Sequence, residues 1–338
     1  MTEKREIIGA RSGSPVEIID LRRGADDFAA DVRAGLTATP KTLSPRYFYD
    51  DLGSVLFEAI CRLPEYYVTR AEEEIIRDWS GEIVAALQGP IRIAELGSGT
   101  AAKSRHLLDA ALRRQPELEY LPVDIDHGTL QATADALAGE YDALRITGMA
   151  ASFEDGLATL ATRLSGSAEH TLVLFLGSTI GNLEPAQRLE IARLIRSALR
   201  PGDALLLGTD LVKSADVLIP AYDDVLGVTA SFNRNLLVRI NRELGGTFDV
   251  AAFRHEARYD TEKQRIEMHL ISTIAQSAAV RAAGIDVQFA AGESIHTESS
   301  YKFTQDSVAL LAAESQFRLA HQWTDRRGWF GENLLIAV

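Results

Sequence analysis

I-R-I-A-E-L-G-S-G-T-A-A, residues Ile91 to Ala102, decides the fold class of this 338-residue chain. A short apolar run ends in the acid Glu95, a turn containing Gly97 and Gly99 follows, and A-K-S-R-H-L-L-D-A-A-L continues with helical spacing. That is a buried strand feeding a tight turn and a helix, the element that opens nucleotide-binding α/β domains. Glycine at 97 and 99 permits positive φ and admits a ligand where a Cβ would collide. Gly97-x-Gly99-x-x-Ala102 also meets the dinucleotide pattern, so the motif by itself leaves the ligand open.

Downstream, L-E-Y-L-P-V-D-I-D (118–126), A-L-R-I-T-G-M (143–149), T-L-V-L-F-L-G-S (171–178) and D-A-L-L-L-G-T-D (203–210) are near-continuously apolar. Helical patterns near 128–138, 155–164 and 185–199 separate them. This alternation predicts a parallel sheet covered on both faces. The chain ends in F-R-L-A-H-Q-W-T-D-R-R-G-W-F-G-E-N-L-L-I-A-V, which reads as a closing hairpin. Upstream, helical periodicity occupies 24–38, 55–62 and 70–87, residues 40–54 are aromatic and turn-rich, and 1–20 are polar and weakly patterned, as in a partly disordered segment. The alternation breaks after Asp210. From 213 to 302, helical stretches (214–227, 232–243) mix with strand-like ones (266–273, 287–291), which predicts an inserted subdomain.

The second strand ends in Asp124 and Asp126, Asp124 lying 25 residues beyond Gly99. A carboxylate there suits the ribose hydroxyls of an adenosine, and Asp126 suits a helix cap. Glu95 beside the turn repels a pyrophosphate but welcomes the amino group of a methionine moiety. With the terminal hairpin, and without an obvious hydride-transfer constellation, this favours S-adenosyl-L-methionine over a nicotinamide.

Composition narrows the partners. A formal charge of −13 argues against nucleic acid and against an anionic membrane surface, and favours a soluble monomer or small oligomer. No apolar run approaches the roughly 18 residues of a membrane span. The opening M-T-E-K-R-E-I-I-G-A lacks a signal-peptide core, so a cytoplasmic protein is expected. One cysteine, Cys61, excludes an intramolecular disulfide and a multi-thiolate site. The seven histidines show no metal-ligand spacing, and no metal is expected.

The string S-P-R-Y-F-Y-D-D-L-G-S-V-L-F-E-A-I-C-R-L-P-E-Y-Y-V-T-R-A-E (44–72) resembles the histidine-specific methyltransferases of ergothioneine biosynthesis, which trimethylate the α-amine of L-histidine to hercynine. The resemblance continues through 95–105, V-D-I-D (123–126), F-L-G-S-T-I-G-N-L (175–183), L-L-G-T-D-L-V-K (206–213), 221–235, R-I-E-M (265–268) and T-E-S-S-Y-K-F (297–303). It implies a class I SAM-dependent methyltransferase (Rossmann-like) α/β domain, 72–210 with 303–338, and a second, mixed α+β substrate-binding domain, 1–71 with the 211–302 insertion.

The resemblance also implies site residues. Gly97, Lys103, Asp124 and Phe153 fall where the family binds the donor, Phe153 beside the adenine. Ser152 stands where relatives usually carry an acid for the adenine amino group, which implies a weaker contact. Tyr66 and Asn182 match a pair that binds the substrate carboxylate, and Tyr49, Phe57 and the Gly177 backbone surround the amine. Tyr49, Asn182 and Gly177 are thereby the catalytic candidates. Glu298 and Ser300 match a pair that reads the imidazole, with Thr229 and Met268 lining the same pocket. The plainer alternatives are core packing for Tyr66, Phe57 and Met268, a solvated Lys103, and a Glu298–Lys302 ion pair. At the level of function they are an N-methyltransferase of another amino acid such as tryptophan, or a non-catalytic SAM-binding protein.

Overall fold

Strand Ile91–Leu96 lies in the interior of an eight-stranded sheet. Across the sheet run Val16–Asp20, Leu144–Ala150, Leu118–Asp124, Ile91–Leu96, His170–Phe175, Ala204–Asp210, Phe330–Ala337 and Phe317–Thr324. The first six are parallel, and Phe330–Ala337 is antiparallel to both its neighbours. The order of strands reverses at Ile91–Leu96, so the crevice where doubly wound sheets receive ligands falls at the carboxyl ends of Ile91–Leu96 and His170–Phe175. A parallel sheet closed by a terminal antiparallel hairpin is the class I methyltransferase arrangement. The structure, a computed structural model, describes residues 15–21, 25–164 and 169–338.

Both faces of this sheet are covered. Every residue of Ile91–Leu96 and of Ala204–Asp210 is buried, which is why these strands are mostly apolar, with Arg92, Glu95, Thr209 and Asp210 as the buried polar exceptions. Leu96, Val123, Met149, Phe175, Leu207 and Leu335 belong to one core. Local chemistry starts the helices. Asp126 accepts from the Thr129 N–H at 3.1 Å, capping His127–Glu140, and Pro185 opens Pro185–Ala198.

The chain divides into two compact units. Among the described residues, one comprises 15–21, 68–164, 169–211 and 303–338, and the other 25–67 with 212–302. The sequence reading placed the whole N-terminal segment with the insertion. Val16–Asp20 instead pairs in parallel with Leu144–Ala150, because Ile18 packs into the sheet unit's core. Of the weakly patterned stretch 1–20, residues 1–14 lie outside the described residues, whereas Val16–Asp20 is an ordered edge strand. Helix Gln305–Glu314, capped by Thr304, precedes the terminal hairpin and was not read from the sequence.

The second unit holds a four-stranded sheet ordered Lys41–Thr42, Ser294–Tyr301, Arg265–Ser272 and Phe253–Asp260, a separate hairpin of Gln276–Val280 and Ile285–Phe289, and helices including Ala25–Thr37, Asp51–Cys61 and Val228–Leu244. The helical reading over 214–227 is too long, since the helix covers only Ala215–Tyr222. Asp224 ends it by accepting from the Val228 and Thr229 N–H groups at 3.0 and 2.7 Å, which starts the next helix. Gly53, in the first turn of Asp51–Cys61, lies against the Phe48 carbonyl, and a Cβ there would overlap that oxygen. Gly53→Ala is therefore expected to destabilise the protein by about 2–4 kcal/mol. An unchanged urea midpoint would refute this packing.

Candidate functional site

Within the sheet unit, the residues proposed for the donor gather at the end of Ile91–Leu96. Gly97 and Gly99 have φ of +73° and +49°, conformations that side chains disfavour. The Gly97 and Ser98 N–H groups donate to the Val123 carbonyl at 2.8 and 3.2 Å, fixing the turn to the neighbouring strand. Asp124 completes it. One carboxylate oxygen accepts from Gly99 N–H at 2.8 Å and the other from Asp126 N–H at 3.0 Å. Burial pushes the Asp124 carboxyl up, against the pull of those amides. Phe153 stands over the turn, so that a Cβ on Gly97 would lie 3.7 Å from its ring, and it meets Phe175 edge-on with centroids 5.2 Å apart. A Cβ on Gly99 would meet nothing within 4 Å. The turn is thus an open cradle flanked by an acid and an aromatic ring, which fits an adenosine.

Ser152 turns toward its own helix. Its hydroxyl accepts from Asp155 N–H and lies 3.2 Å from the Asp155 carboxylate. Glu95 departs from the sequence reading. It is buried, takes the hydroxyls of Ser104 at 2.7 Å and of Tyr120, and burial pushes its carboxyl up to about 7. An acid so engaged braces the turn from inside and is not displayed to a methionine amino group.

Lys103 is not the solvated residue of the plainer reading. Its ammonium pairs with the fully buried Glu72, whose other oxygen accepts from Gly177 N–H. Gly177 follows strand His170–Phe175 with φ of +73°, and Ser178 continues in the left-handed region before the 3₁₀ turn Thr179–Asn182. Asn182, half-buried, closes that turn. Gly177, Lys103 and Asn182 therefore share the carboxyl end of the sheet, and Glu72 is a member of this group that sequence reasoning passed over.

The insertion unit holds the amino-acid candidates other than Asn182 and Gly177, which belong to the sheet unit. Tyr49, Phe57 and Tyr66 form a chain of edge-on rings, with centroids 5.5 and 6.2 Å apart, and Tyr66 meets Tyr222 at 6.1 Å. Phe57 also packs on Phe232 at 6.0 Å, so the packing role read as its alternative is real alongside its place in the chain. Tyr66 is buried. Desolvation holds its hydroxyl well above the usual range, with Tyr222, Tyr49 and Glu298 adding to the effect, so it remains a proton donor. Glu298 and Ser300 lie on Ser294–Tyr301, and Glu298 is in register with Met268 across the sheet just after an irregularity at His296/Glu298. Glu298, Ser300, Met268 and Thr229 are all buried. Burial pushes the Glu298 carboxyl up to about 7, and Lys302 pulls it down.

Tyr222 and Lys302 complete the cluster. The Tyr222 hydroxyl and Ser300 Oγ are 2.8 Å apart, and Lys302 Nζ donates to both, at 2.8 and 2.9 Å. The Glu298–Lys302 alternative thus holds in part: the lysine acts on Glu298 through its charge while binding the two hydroxyls. Asn233 Nδ2 donates to His255 Nδ1, so His255 Nε2–H donates to the Tyr222 carbonyl at 2.8 Å and fixes this corner. Tyr222 was legible only as part of the A-Y-D-D string, with nothing to mark its hydroxyl.

A family profile described as "Histidine-specific methyltransferase, SAM-dependent" matches residues 28–337. The chain belongs to this family. It is 47% identical to the Histidine N-alpha-methyltransferase of Mycolicibacterium smegmatis, over 92% of this chain and 95% of that one. To the Histidine N-alpha-methyltransferase of Mycobacterium tuberculosis it is 46% identical, over 90% and 93%. The Ergothioneine biosynthesis protein 1 of Schizosaccharomyces pombe is 27% identical over 84% of this chain, which matches only 37% of that longer protein. The family resemblance read from the sequence is therefore correct. Membership makes S-adenosyl-L-methionine the methyl donor, in keeping with the open glycine cradle. Among the described residues no helix is long and apolar enough to cross a membrane.

Proposed function

We propose that this protein transfers methyl groups from S-adenosyl-L-methionine to the α-amine of L-histidine, three times, to give hercynine for ergothioneine biosynthesis. The observation that carries the reading is near-half identity, over more than nine-tenths of the chain, to two proteins named Histidine N-alpha-methyltransferase. The buried acid–hydroxyl pair Glu298 and Ser300 supports it, since an acid and a hydroxyl satisfy both nitrogens of an imidazole.

Methyl transfer from a sulfonium is an in-line displacement in which the amine lone pair forms the C–N bond as the C–S bond breaks. S-adenosylhomocysteine leaves, and one proton is lost from nitrogen for each methyl added. The protein's task is to hold a neutral amine in line about 3 Å from the methyl carbon. We assign donor binding to Gly97, Lys103, Asp124, Ser152 and Phe153, and the histidine carboxylate to Tyr66 and Asn182. Two neutral donors anchor the carboxylate without adding a cation beside the sulfonium. Tyr49 and the Gly177 backbone orient the amine, and proximity to the sulfonium disfavours its ammonium form. Successive methyls enlarge a cation that the faces of Tyr49 and Phe57 suit. Glu298 and Ser300 read the ring, with Thr229 and Met268 as its apolar surround. We place the enzyme in the cytoplasm, as a monomer, in keeping with its formal charge of −13.

Mass spectrometry of L-histidine incubated with enzyme and donor tests the reading, the trimethylated amino acid being the expected product. Methylation of tryptophan in its place, or donor binding without turnover, would replace it. Asn182→Ala is expected to lower kcat/KM for histidine about a hundredfold, by releasing the carboxylate that sets the attack angle. Near-normal kcat/KM would remove Asn182 from that role.

A further inference from the structure

We propose that Glu72 and Glu332 form a proton-sharing carboxyl pair that positions Lys103 and the Gly177 amide for donor binding, an inference resting on the methyltransferase reading above. Glu72, on helix Tyr67–Ala85, and Glu332, on strand Phe330–Ala337, are both fully buried. Glu72 is used at both oxygens, by Gly177 N–H and by the Lys103 ammonium. Among the described residues no donor reaches either oxygen of Glu332, and its carboxyl lies beside that of Glu72 where both face Gly208. Two adjacent buried carboxylates repel unless one bears a proton, and Glu72 is already committed as acceptor at both oxygens. The shared proton therefore resides on Glu332.

Strand Ala204–Asp210 makes room for the pair. A Cβ on Gly208 would overlap Glu72 Oε1 and stand 3.1 Å from Glu332 Oε1, so glycine is required where the two carboxyls meet. The charged groups facing Glu332 are Glu72, which with burial pushes its carboxyl well above the usual range, and Lys103, which pulls it down. Glu95, which also feels Glu72 and Lys103, is occupied by Tyr120 and Ser104. A Cβ on Gly177 would lie 3.8 Å from Lys103 Nζ, so one buried acid holds a cation and a backbone amide side by side. For stability alone, apolar residues of similar volume commonly replace such buried ionic groups without loss. The acids instead sit beneath two residues assigned to the reaction, and their proton makes that support sensitive to pH. As pH rises, Glu332 loses its proton, the pair becomes two repelling carboxylates, and the hold on Lys103 and Gly177 weakens.

The test is calorimetric affinity for S-adenosylhomocysteine from pH 6 to 10, in wild type, Glu72→Gln, Glu332→Leu and Glu332→Gln. Glu72→Gln and Glu332→Leu are expected to bind about tenfold or more weakly at pH 7, and Glu332→Gln, whose amide donates to Glu72 as the protonated acid does, to recover to within about threefold. Wild type is expected to lose affinity at alkaline pH, and Glu332→Gln to keep it. Wild-type affinity in Glu72→Gln, or the same alkaline loss in Glu332→Gln as in wild type, would overturn the proposal. If Glu72→Gln does not fold, the comparison of Glu332→Gln with wild type decides alone. Histidine methylation by wild type reads the underlying function separately, so failure of either can be told from failure of the other.

Discussion

Glu298→Gln is expected to lose about a hundredfold in affinity for L-histidine while gaining stability at alkaline pH. The loss follows because the carboxyl is the one acidic group assigned to the substrate ring, and an amide cannot offer it two acceptor oxygens. The gain follows from burial. Desolvation pushes the folded-state carboxyl up to about 7 from an ordinary 4.5. Below 4.5 both folded and unfolded states carry the proton, and the group contributes nothing. Between 4.5 and about 7 the unfolded chain ionises first, so stability falls as pH rises through that window. Above it, the buried charge costs the folded protein on the order of 3 kcal/mol. The amide removes that cost but leaves the Lys302 charge less compensated, so a net gain of about 1–3 kcal/mol is expected at pH 8, with none at pH 4. Urea unfolding at the two pH values measures it, and calorimetry with histidine measures the affinity. A variant that is less stable than wild type at pH 8, or that binds histidine normally, would contradict this account of the site.

Asp124→Ala is expected to weaken donor binding on the order of a hundredfold or more, with a smaller effect on histidine. Two effects combine. The side chain is the proposed acceptor for the ribose hydroxyls, and it also holds the N–H groups of Gly99 and Asp126, at 2.8 and 3.0 Å. Alanine leaves the Gly99 N–H without this acceptor and frees a glycine turn whose φ of +49° is conformationally expensive to fix. Calorimetric titration with S-adenosylhomocysteine checks this, and retained affinity would show that the turn and the ribose are held by other groups.

How much of this was legible in the sequence depended on which faces a segment buries. Ile91–Leu96 and Ala204–Asp210 are buried throughout and mostly apolar, and the glycine turn after the first marks it further. Ser294–Tyr301 is also almost wholly buried, yet it contains Thr297, Glu298, Ser299 and Ser300. A strand that buries polar side chains lacks the apolar alternation that would reveal it, and only the family resemblance marked it. Val16–Asp20 was hidden for another reason: five residues at a sheet edge, with Ile18 alone buried, give too short a pattern. Tyr222 gave no sign of its hydrogen bonds to Ser300 and Lys302, and Glu72 gave none of its hold on Lys103, since these partners are far apart along the chain.

The linear order of residues was enough to establish a doubly wound parallel sheet, its glycine turn, the terminal hairpin and membership of a histidine-specific methyltransferase family. Periodicity and turn chemistry are local, and long shared strings identify a family without any contact being known. The tertiary structure decided which acids are braces and which are available. It turned Glu95 inward to Tyr120 and Ser104, set Glu332 against Glu72, and left Glu298 among buried side chains under the charge of Lys302. Desolvation and charge pairing depend on what surrounds a group in space, and that neighbourhood exists only once distant segments have packed together.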